Sequence, residues 1–280
     1  MSNFEISPGS IAAPILFWLN VNYHDAFSGV AAFFDFWVSS IVWVLSSVPA
    51  PIVVGVLSML ALVFAGWRRG VLTIVGFSVC ILLGMWEATV QTIALVTMAV
   101  VFSISVGIPI GVMLSRSKKL QVISRPLLDV MQTLPPWVYL VPSVVLFGLG
   151  SIPALISTVV YGIAPMVRLT VLAMEQIPQE RIELGAAIGL KKFDILRKIE
   201  LPSALPTLLV GVNQCILLSL AMVVLAGLVG AGGLGAEVTR GLTRMEFGLG
   251  LRASLSIVIL AIIMDRVFRG SIPQVYLTKN

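Results

Sequence analysis

Charged side chains are concentrated in one short stretch of an otherwise apolar chain. They are Arg181, Glu183, Lys191, Lys192, Asp194, Arg197, Lys198 and Glu200. Acid–base or metal chemistry is not expected here, because the single histidine, His24, has no constellation of carboxylates around it in the sequence. No glycine-rich phosphate loop is present either, so the chain by itself is not expected to bind ATP. The charged stretch is therefore expected to recognise the surface of another molecule.

The same stretch carries the signals of two short helices with a bend between them. Pro178 suits the first turn of a helix, where its missing amide is not needed. Gly189 is the residue type that ends a helix with a left-handed backbone. A second helix follows, with Phe193 and Ile199 on one face, and Pro202 is predicted to end it. Two interpretations stay open: an ordinary connecting loop, or a bent element that fits into a partner.

The elements that position this stretch must lie in a membrane. The chain has 280 residues, of which 58% are hydrophobic and 11% charged, with a mean hydropathy of +1.05; soluble domains carry about 25% charged residues. Repeated apolar runs of about 18 to 25 residues indicate helices rather than the alternating strands of a barrel. Cys80 and Cys215 lie far apart in such runs and are expected to be small core residues rather than metal ligands. The sequence predicts an all-α integral membrane protein.

Seven transmembrane helices are predicted. They cover residues 49–66, 70–86, 89–114, 126–148, 153–174, 203–229 and 250–268. The earlier segment 25–47 is apolar but interrupted by Asp25, Asp35 and several serines, which favours a helix lying in the interface over a spanning one.

The basic residues orient these spans, because lysine and arginine are enriched on the cytoplasmic side. Only Arg240, Arg244 and Arg252 of the 18 fall on one side, and the other 15 fall on the opposite side. The N-terminus is therefore predicted outside and the C-terminus inside. Residues 175–202 become the longest cytoplasmic loop, and 230–248 an extracytoplasmic one. The net charge of +5 records this topology and does not indicate nucleic-acid binding.

Five positions in the loop resemble a known family motif. They are Glu183, Gly189, Ile199, Leu201 and Pro202. Their spacing is similar to that of the "EAA" loop in permease subunits of ATP-binding cassette importers. The chain departs from the family pattern at Leu184 and Gly185, where two alanines are usual. The resemblance implies that this loop docks into a separate ATPase subunit and transmits its closure to the spans.

A narrower resemblance covers residues 88–268. The stretches "PLLDVMQTLPPWVYLVPSVVLFGLG" (126–150), "GVNQCILLSLAMVVLAGLVGAGGLG" (211–235) and "AIIMDRVFRG" (261–270) are similar to permeases for glycine betaine, proline betaine and choline. The resemblance implies the type I importer permease fold in a bacterial cytoplasmic (inner) membrane, and a role in osmoprotection for such a solute or carnitine.

The implied assembly is a homodimer of permease subunits in membrane lipid, with two ATP-binding subunits and an extracytoplasmic solute-binding protein. ATP and Mg²⁺ would be bound by the ATPase, and no cofactor by this chain. The expected segments are an extracytoplasmic or interfacial part (1–47), two peripheral transmembrane helices (48–87), the core permease domain (88–268) and a cytoplasmic tail (269–280).

Two pairs of residues could contact a quaternary ammonium solute as it crosses the membrane. Trp137 and Tyr139 follow the predicted helix break at Pro135, and an aromatic face attracts a soft cation. Asn213 and Gln214 are adjacent amides in an apolar span, where they require a polar partner or water. Each pair also has a structural interpretation, as an interface anchor or as interhelical hydrogen bonding.

Two alternatives compete with this function. Within importers, the solute could be methionine, taurine or another sulfonate. From another class, an ion-coupled secondary transporter would need intramembrane carboxylates or matched repeats, and none is evident in the sequence. Asp265 lies near the predicted cytoplasmic end of its span beside Arg266, so a local ion pair is expected.

The predicted topology can be tested by cysteine labelling. A membrane-impermeant thiol reagent added outside should modify a cysteine placed at Thr243, which lies in the predicted extracytoplasmic loop, but not one placed at Lys192. Labelling at Lys192 and protection at Thr243 would reverse the assignment, and the loop could then not meet a cytoplasmic partner.

Overall fold

Helices make up all the regular secondary structure in the part of the chain that the structure describes, residues 8–271 of a computed structural model. In that range they are α1 (Pro8–Asn22), α2 (His24–Ser46), α3 (Ala50–Ala65), α4 (Trp67–Leu82), α5 (Trp86–Ser115), α6 (Lys118–Thr133), α7 (Trp137–Phe147), α8 (Ser151–Glu175), α9 (Gln179–Ala187), α10 (Lys192–Ile195), α11 (Leu201–Ala226), α12 (Gly233–Thr243) and α13 (Phe247–Ser271). A π-turn (Leu196–Glu200) joins α10 to α11, and a 3₁₀ turn (Gly227–Val229) follows α11. The predicted all-α fold class is confirmed.

Small residues bring α5, α8 and α11 into close contact at the centre of the protein. A Cβ atom added to Gly111 of α5 would lie 2.4 Å from the Cβ of Thr170 on α8, and one added to Gly162 would lie 2.8 Å from Ser103 Oγ. Ser103 Oγ also donates a hydrogen bond to the Val159 carbonyl, at 3.1 Å. Such backbone approach is how membrane helices associate without a hydrophobic driving force. These three helices therefore form a tightly packed body on which the other elements lie.

Five of the described helices are long and apolar enough to cross a membrane. They are α2, α5, α8, the continuous helix from Lys192 through α11 to Val229, and α13. The inclusion of α2 differs from the interfacial position favoured for 25–47, since Asp35 does not interrupt this helix of 23 residues. The orientation of the two termini stays a prediction.

The predicted spans 49–66 and 70–86 correspond to a pair of short helices. Each of α3 and α4 has 16 residues, which gives about 24 Å of helix against a hydrocarbon core of about 30 Å. Gly66 separates them with a φ of +94°, a value that glycine adopts without steric cost. The α4 helix runs along α13, where Gly76 lies against Ile263.

The predicted span over residues 126–148 is not one straight helix, and the break expected within it at Pro135 and Pro136 is present. The chain instead forms α6 and α7, whose axes differ by 92° across a break at Leu134–Pro136. The cause is the pair Pro135 and Pro136, because each proline lacks the amide that an α-helix requires at that position. Helix α7 has only 11 residues, about 16 Å of helix, so it cannot cross the hydrocarbon core alone.

The glycine-rich stretch after α11 is held by polar side chains of α5. Gln91 Oε1 accepts a hydrogen bond from the Gly233 amide at 2.6 Å, and Thr92 Oγ1 accepts one from the Leu234 amide at 2.9 Å. These are amides of the first turn of α12, which have no partner within their own helix. The contact fixes α12 against the start of α5.

Candidate functional site at the charged loop and the broken helix

The first half of the charged loop ends as the sequence predicts. Gly189 follows the last turn of α9 with a φ of +82°. Its amide donates to the Ala186 carbonyl, and the Leu190 amide donates to the Gly185 carbonyl, both at 3.0 Å; this is the Schellman pattern of helix ends. No atom lies within 4 Å of a Cβ added at Gly189. Glycine is therefore required by the backbone conformation and not by lack of space.

The second half of the loop continues into a span instead of stopping before it. Pro202 was predicted to end the second helix, but it lies in the first turn of α11 and the helix runs on. The π-turn makes this possible: the Leu201 amide bonds to the Leu196 carbonyl, five residues back, so the turn is one residue wider than an α-turn. The loop is therefore joined to α11 without a flexible connection.

The departure from the family pattern at Gly185 has a packing reason. Gly185 is buried, and a Cβ atom there would lie 2.5 Å from Ile199 Cδ1 and 3.3 Å from Ile195 Cγ1. The missing methyl group lets α9 lie directly on the π-turn. The inward face of the second helix is thus Ile195 and Ile199, whereas Phe193, predicted on the same face as Ile199, points away.

The outward side of the loop exposes three large apolar side chains. Leu184 is 64% exposed, Ile188 68% and Phe193 71%. Glu183 is also exposed and lies in the same helix as Leu184. We call these four residues, with Gly189 at the bend, the loop surface. Apolar side chains grouped with polar ones outside the long apolar helices are typical of a protein contact.

The base of the loop is held to the central helices by apolar and polar contacts. Ile182 and Leu201 pack against a buried cluster that includes Met174 of α8 and Leu208 of α11. Arg181 Nη1 donates a hydrogen bond to Ser203 Oγ at 3.3 Å, close to the start of α11. The loop is therefore a supported element rather than a free connection.

An ion pair that the sequence analysis missed joins the loop to α5. Arg116, just after α5, donates to Glu200 through both guanidinium Nη atoms, with Nη1 2.8 Å from Oε1. Hydrogen bonding to the Glu200 carboxylate raises the pKa of Arg116. The pair is 84 residues apart in the sequence, and no local pattern connects them. The available signal was a carboxylate directly before a predicted span, which calls for a cation nearby.

The broken helix places the two predicted aromatic residues differently. Trp137 begins α7 and is 48% exposed. The Tyr139 hydroxyl donates to the Met131 carbonyl at 2.6 Å, across the break. That carbonyl would bond to the amide of residue 135 in a continuous helix, and Pro135 has none. Tyr139 therefore closes the hydrogen bonding of the break, while its ring lies 5.8 Å from that of Tyr161.

The two adjacent amides, Asn213 and Gln214, face different surroundings. Asn213 is buried between α11 and α13. With its amide oriented to satisfy both neighbours, it donates to Asp265 Oδ1 at 3.1 Å and accepts from Arg269 Nη2 at 3.3 Å. Gln214 is exposed. The structure thus separates Asn213, which faces α13, from the aromatic pair on α7.

The expected local ion pair of Asp265 is present, with Arg269 rather than Arg266. Arg269 Nε lies 2.8 Å from Asp265 Oδ1, one helical turn along α13. Cys80 and Cys215 are both buried free thiols, as expected for small core residues. Among the residues that the structure describes, no three histidine, cysteine or carboxylate side chains form a group that could hold a metal ion.

Comparison with known proteins shows the family of the chain. Residues 103–275 match the family described as "binding-protein-dependent transport system inner membrane component". A glycine betaine/proline betaine transport system permease protein of Escherichia coli, ProW, is 40% identical over 89% of this chain and 71% of its own length. A glycine betaine transport system permease protein of Bacillus subtilis, OpuAB, is 38% identical over 89% of both chains.

The fold also matches a solved transporter. A chain of the MetNI methionine ABC transporter, in an inward-facing conformation, aligns with a TM-score of 0.56 and 24% identity, over 65% of this chain and 93% of that one. At this identity the likeness supports the fold alone. The family match covers the broken helix, the charged loop and the spans around them, so the chain belongs to the binding-protein-dependent transport system inner membrane components, as a multi-pass permease subunit.

Proposed function

We propose that the chain is the membrane subunit of an ATP-driven importer for a quaternary-amine compatible solute, such as glycine betaine, proline betaine, choline or carnitine, and serves in osmoprotection. The observation that carries the proposal is the 40% identity, over 89% of the chain, with a permease named for glycine betaine and proline betaine. A glycine betaine/carnitine permease protein of Listeria monocytogenes, GbuB, is 37% identical over 72% of the chain and supports the same solute class.

The proposed assembly has two copies of this chain, two ATPase subunits that bind ATP and Mg²⁺, and an extracytoplasmic solute-binding protein. Its ATPase contact is the loop surface, because Leu184, Ile188 and Phe193 expose apolar area that a protein partner would cover. Glu183 would lie at the edge of the contact. Family membership supports an ATPase and a binding protein as partners.

The loop is built to pass on a displacement without absorbing it. Gly185 allows α9 to lie directly on Ile199, and the π-turn joins that contact to α11 without a break. Leu201 is packed against the cluster under the loop, and Pro202 stiffens the first turn of α11 by fixing its own φ. Rigid elements carry domain movements, whereas flexible loops dissipate them.

A solute pathway along α7 follows from the same proposal. Trp137 and Tyr139 lie where the helix is broken, and irregular backbone at membrane depth lines a cavity or is buried in protein. Attraction of a quaternary ammonium group by an aromatic face is worth about 0.5–2 kcal/mol. Gln214, exposed on α11, is the more accessible of the two amides, while Asn213 has its partners on α13.

Two rival functions have weaker support. The structural likeness to a methionine transporter is at 24% identity and carries no substrate. An ion-coupled transporter would use an intramembrane carboxylate to hold the ion. The Asp265 carboxylate is instead paired with Arg269 and Asn213, which disfavours that role.

Reconstitution tests the proposed function. Liposomes that contain this chain, its cognate ATPase and its binding protein should accumulate radiolabelled glycine betaine only with ATP inside. Liposomes with the chain alone should not use ATP, because the chain lacks a phosphate loop. A sodium or proton gradient should not drive uptake in them either, because Asp265 is paired with Arg269 and Asn213. Uptake driven by an ion gradient in the chain alone would overturn the proposal in favour of a secondary transporter.

Replacement of Gly189 by valine tests the bend of the loop. A β-branched residue at a φ of +82° costs about 1–2 kcal/mol or more, so the bend should shift while nothing collides with the new side chain. Uptake should fall at least about tenfold at an unchanged membrane level. Gly189→Asn is the matched control, since asparagine tolerates the left-handed region, and it should retain most of the uptake. Equal uptake in both variants would make the loop a simple connection.

Replacement of Phe193 by alanine tests the loop surface as the ATPase contact. Truncation of an aromatic anchor in an interface costs about 2 kcal/mol or more, and the exposed ring contributes little to folding of the subunit itself. Copurification of the ATPase in detergent should therefore weaken by at least about tenfold. Leu242→Ala is the control, because Leu242 is also 71% exposed but lies on α12. Similar loss in both variants, or in neither, would contradict a contact at Phe193.

A further inference from the structure

The Arg116–Glu200 ion pair holds its two side chains at a fixed distance and orientation. The guanidinium and the carboxylate form two parallel hydrogen bonds, an arrangement that fixes orientation as well as distance. The Glu200 side chain is only 3% exposed, whereas that of Arg116 is 51% exposed. A buried carboxylate depends on its partner, because removal of the cation would leave an uncompensated charge.

The position of Glu200 is where the loop becomes a span. It is the last residue of the π-turn, between Ile199, which lies against Gly185 of α9, and Leu201, the first residue of α11. A π-turn inside a helix is frequently found at a functional position. Any movement of α9 is therefore delivered through Ile199 to the residue next to it, Glu200.

The position of Arg116 is where α5 meets the broken helix. Arg116 caps the C-terminal end of α5, and α6 begins two residues later at Lys118, with Ser117 Oγ accepting from the Leu120 amide at 3.5 Å. Helix α6 leads directly to the break at Pro135. Along the sequence the loop is continuous with α8 at one end and with α11 at the other. Neither α5 nor α6 is next to the loop in the sequence.

We propose that Arg116 and Glu200 form the link by which movement of the loop is passed to α5 and the α6–α7 pair. Neither residue touches the solute or ATP; both are positioning residues. The pair couples the loop sideways to the helices that carry the candidate pathway residues Trp137 and Tyr139. This inference rests on the proposed function, in which the loop surface meets an ATPase.

The proposed link explains why the Glu200 carboxylate is buried, which the stability of the fold alone does not require. An ion pair with one half-exposed partner adds little to folding, and a buried carboxylate is costly compared with an apolar side chain of similar size. A two-point contact between rigid elements, however, keeps them in register during movement. In this proposal the buried Glu200 carboxylate is kept, despite its energetic cost, because its contact with Arg116 keeps the loop aligned with α5.

The test compares three variants in the reconstituted transporter of chain, ATPase and binding protein. Glu200→Gln keeps the shape of the side chain without its charge, and Arg116→Lys keeps the charge without the two-point contact. The exchange Arg116→Glu with Glu200→Arg restores a pair of opposite polarity. The measurements are copurification of the ATPase, thermal unfolding midpoint, ATP hydrolysis, and glycine betaine transported per ATP.

We expect each single variant to assemble with the ATPase and to hydrolyse ATP. The amount of glycine betaine transported per ATP should fall at least about fivefold, the lower end of typical coupling between sites. The exchange should recover at least half of the loss. Glu237→Gln is the matched control, because Glu237 pairs with the half-exposed Arg240 at 2.9 Å on α12, away from the loop, and its transport per ATP should be unchanged.

Three outcomes overturn the link. The first is an unchanged ratio of transport to ATP hydrolysis in both single variants. The second is a parallel fall of transport, hydrolysis and assembly, which would show a role in folding only. The third is absence of ATP-driven uptake by the wild-type assembly, where the proposed function itself fails. Should Glu200→Gln not accumulate in the membrane, Arg116→Lys decides, since it leaves a cation beside the buried carboxylate.

Discussion

The constraint on which the structure depends is that backbone amides and carbonyls within a membrane protein must find partners inside the protein. An uninterrupted helix satisfies it automatically, but this chain interrupts its helices at several points, and side chains compensate for the lost helix bonds at two of them. The Tyr139 hydroxyl takes over the Met131 carbonyl that Pro135 leaves free. Gln91 and Thr92 take the first amides of α12. These two interruptions are therefore compensated by specific side-chain partners.

These interruptions coincide with the candidate functional elements. The break at Pro135 carries Trp137 and Tyr139, and the π-turn before Pro202 joins the loop to α11. A helix break supplies a change of direction, whereas a wide turn lets a proline pass without one. The same residue type thus bends the chain by 92° at one place and leaves it continuous at the other. Pro135 and Pro136 remove two successive backbone amides, whereas Pro202 removes one.

Features governed by neighbouring residues could be predicted from the sequence, and features governed by distant ones could not. The end of α9 at Gly189 depends on a few consecutive residues, and the prediction is confirmed. The all-α fold class and the family followed from composition and from motifs. The break within 126–148 depends on the adjacent Pro135 and Pro136 and is present as predicted, although its angle of 92° did not follow from them. Pro202 was expected to stop a helix because a local rule cannot foresee the π-turn. The Arg116–Glu200 pair joins residues 84 positions apart, beyond the reach of any periodicity.

The close packing of α5, α8 and α11 sets what a movement of the loop can do. Where Gly111 meets Thr170, no space remains for a methyl group, so α5 and α8 resist independent sliding along this contact. A displacement that enters through Ile199 is therefore shared among the packed helices and does not fade within one of them. The bent α6–α7 pair follows α5 directly along the chain, and the ion pair of Arg168 with Asp129 joins α6 to α8. In the proposed mechanism the Arg116–Glu200 pair therefore connects the loop to the end of α5 from which this bent pair starts.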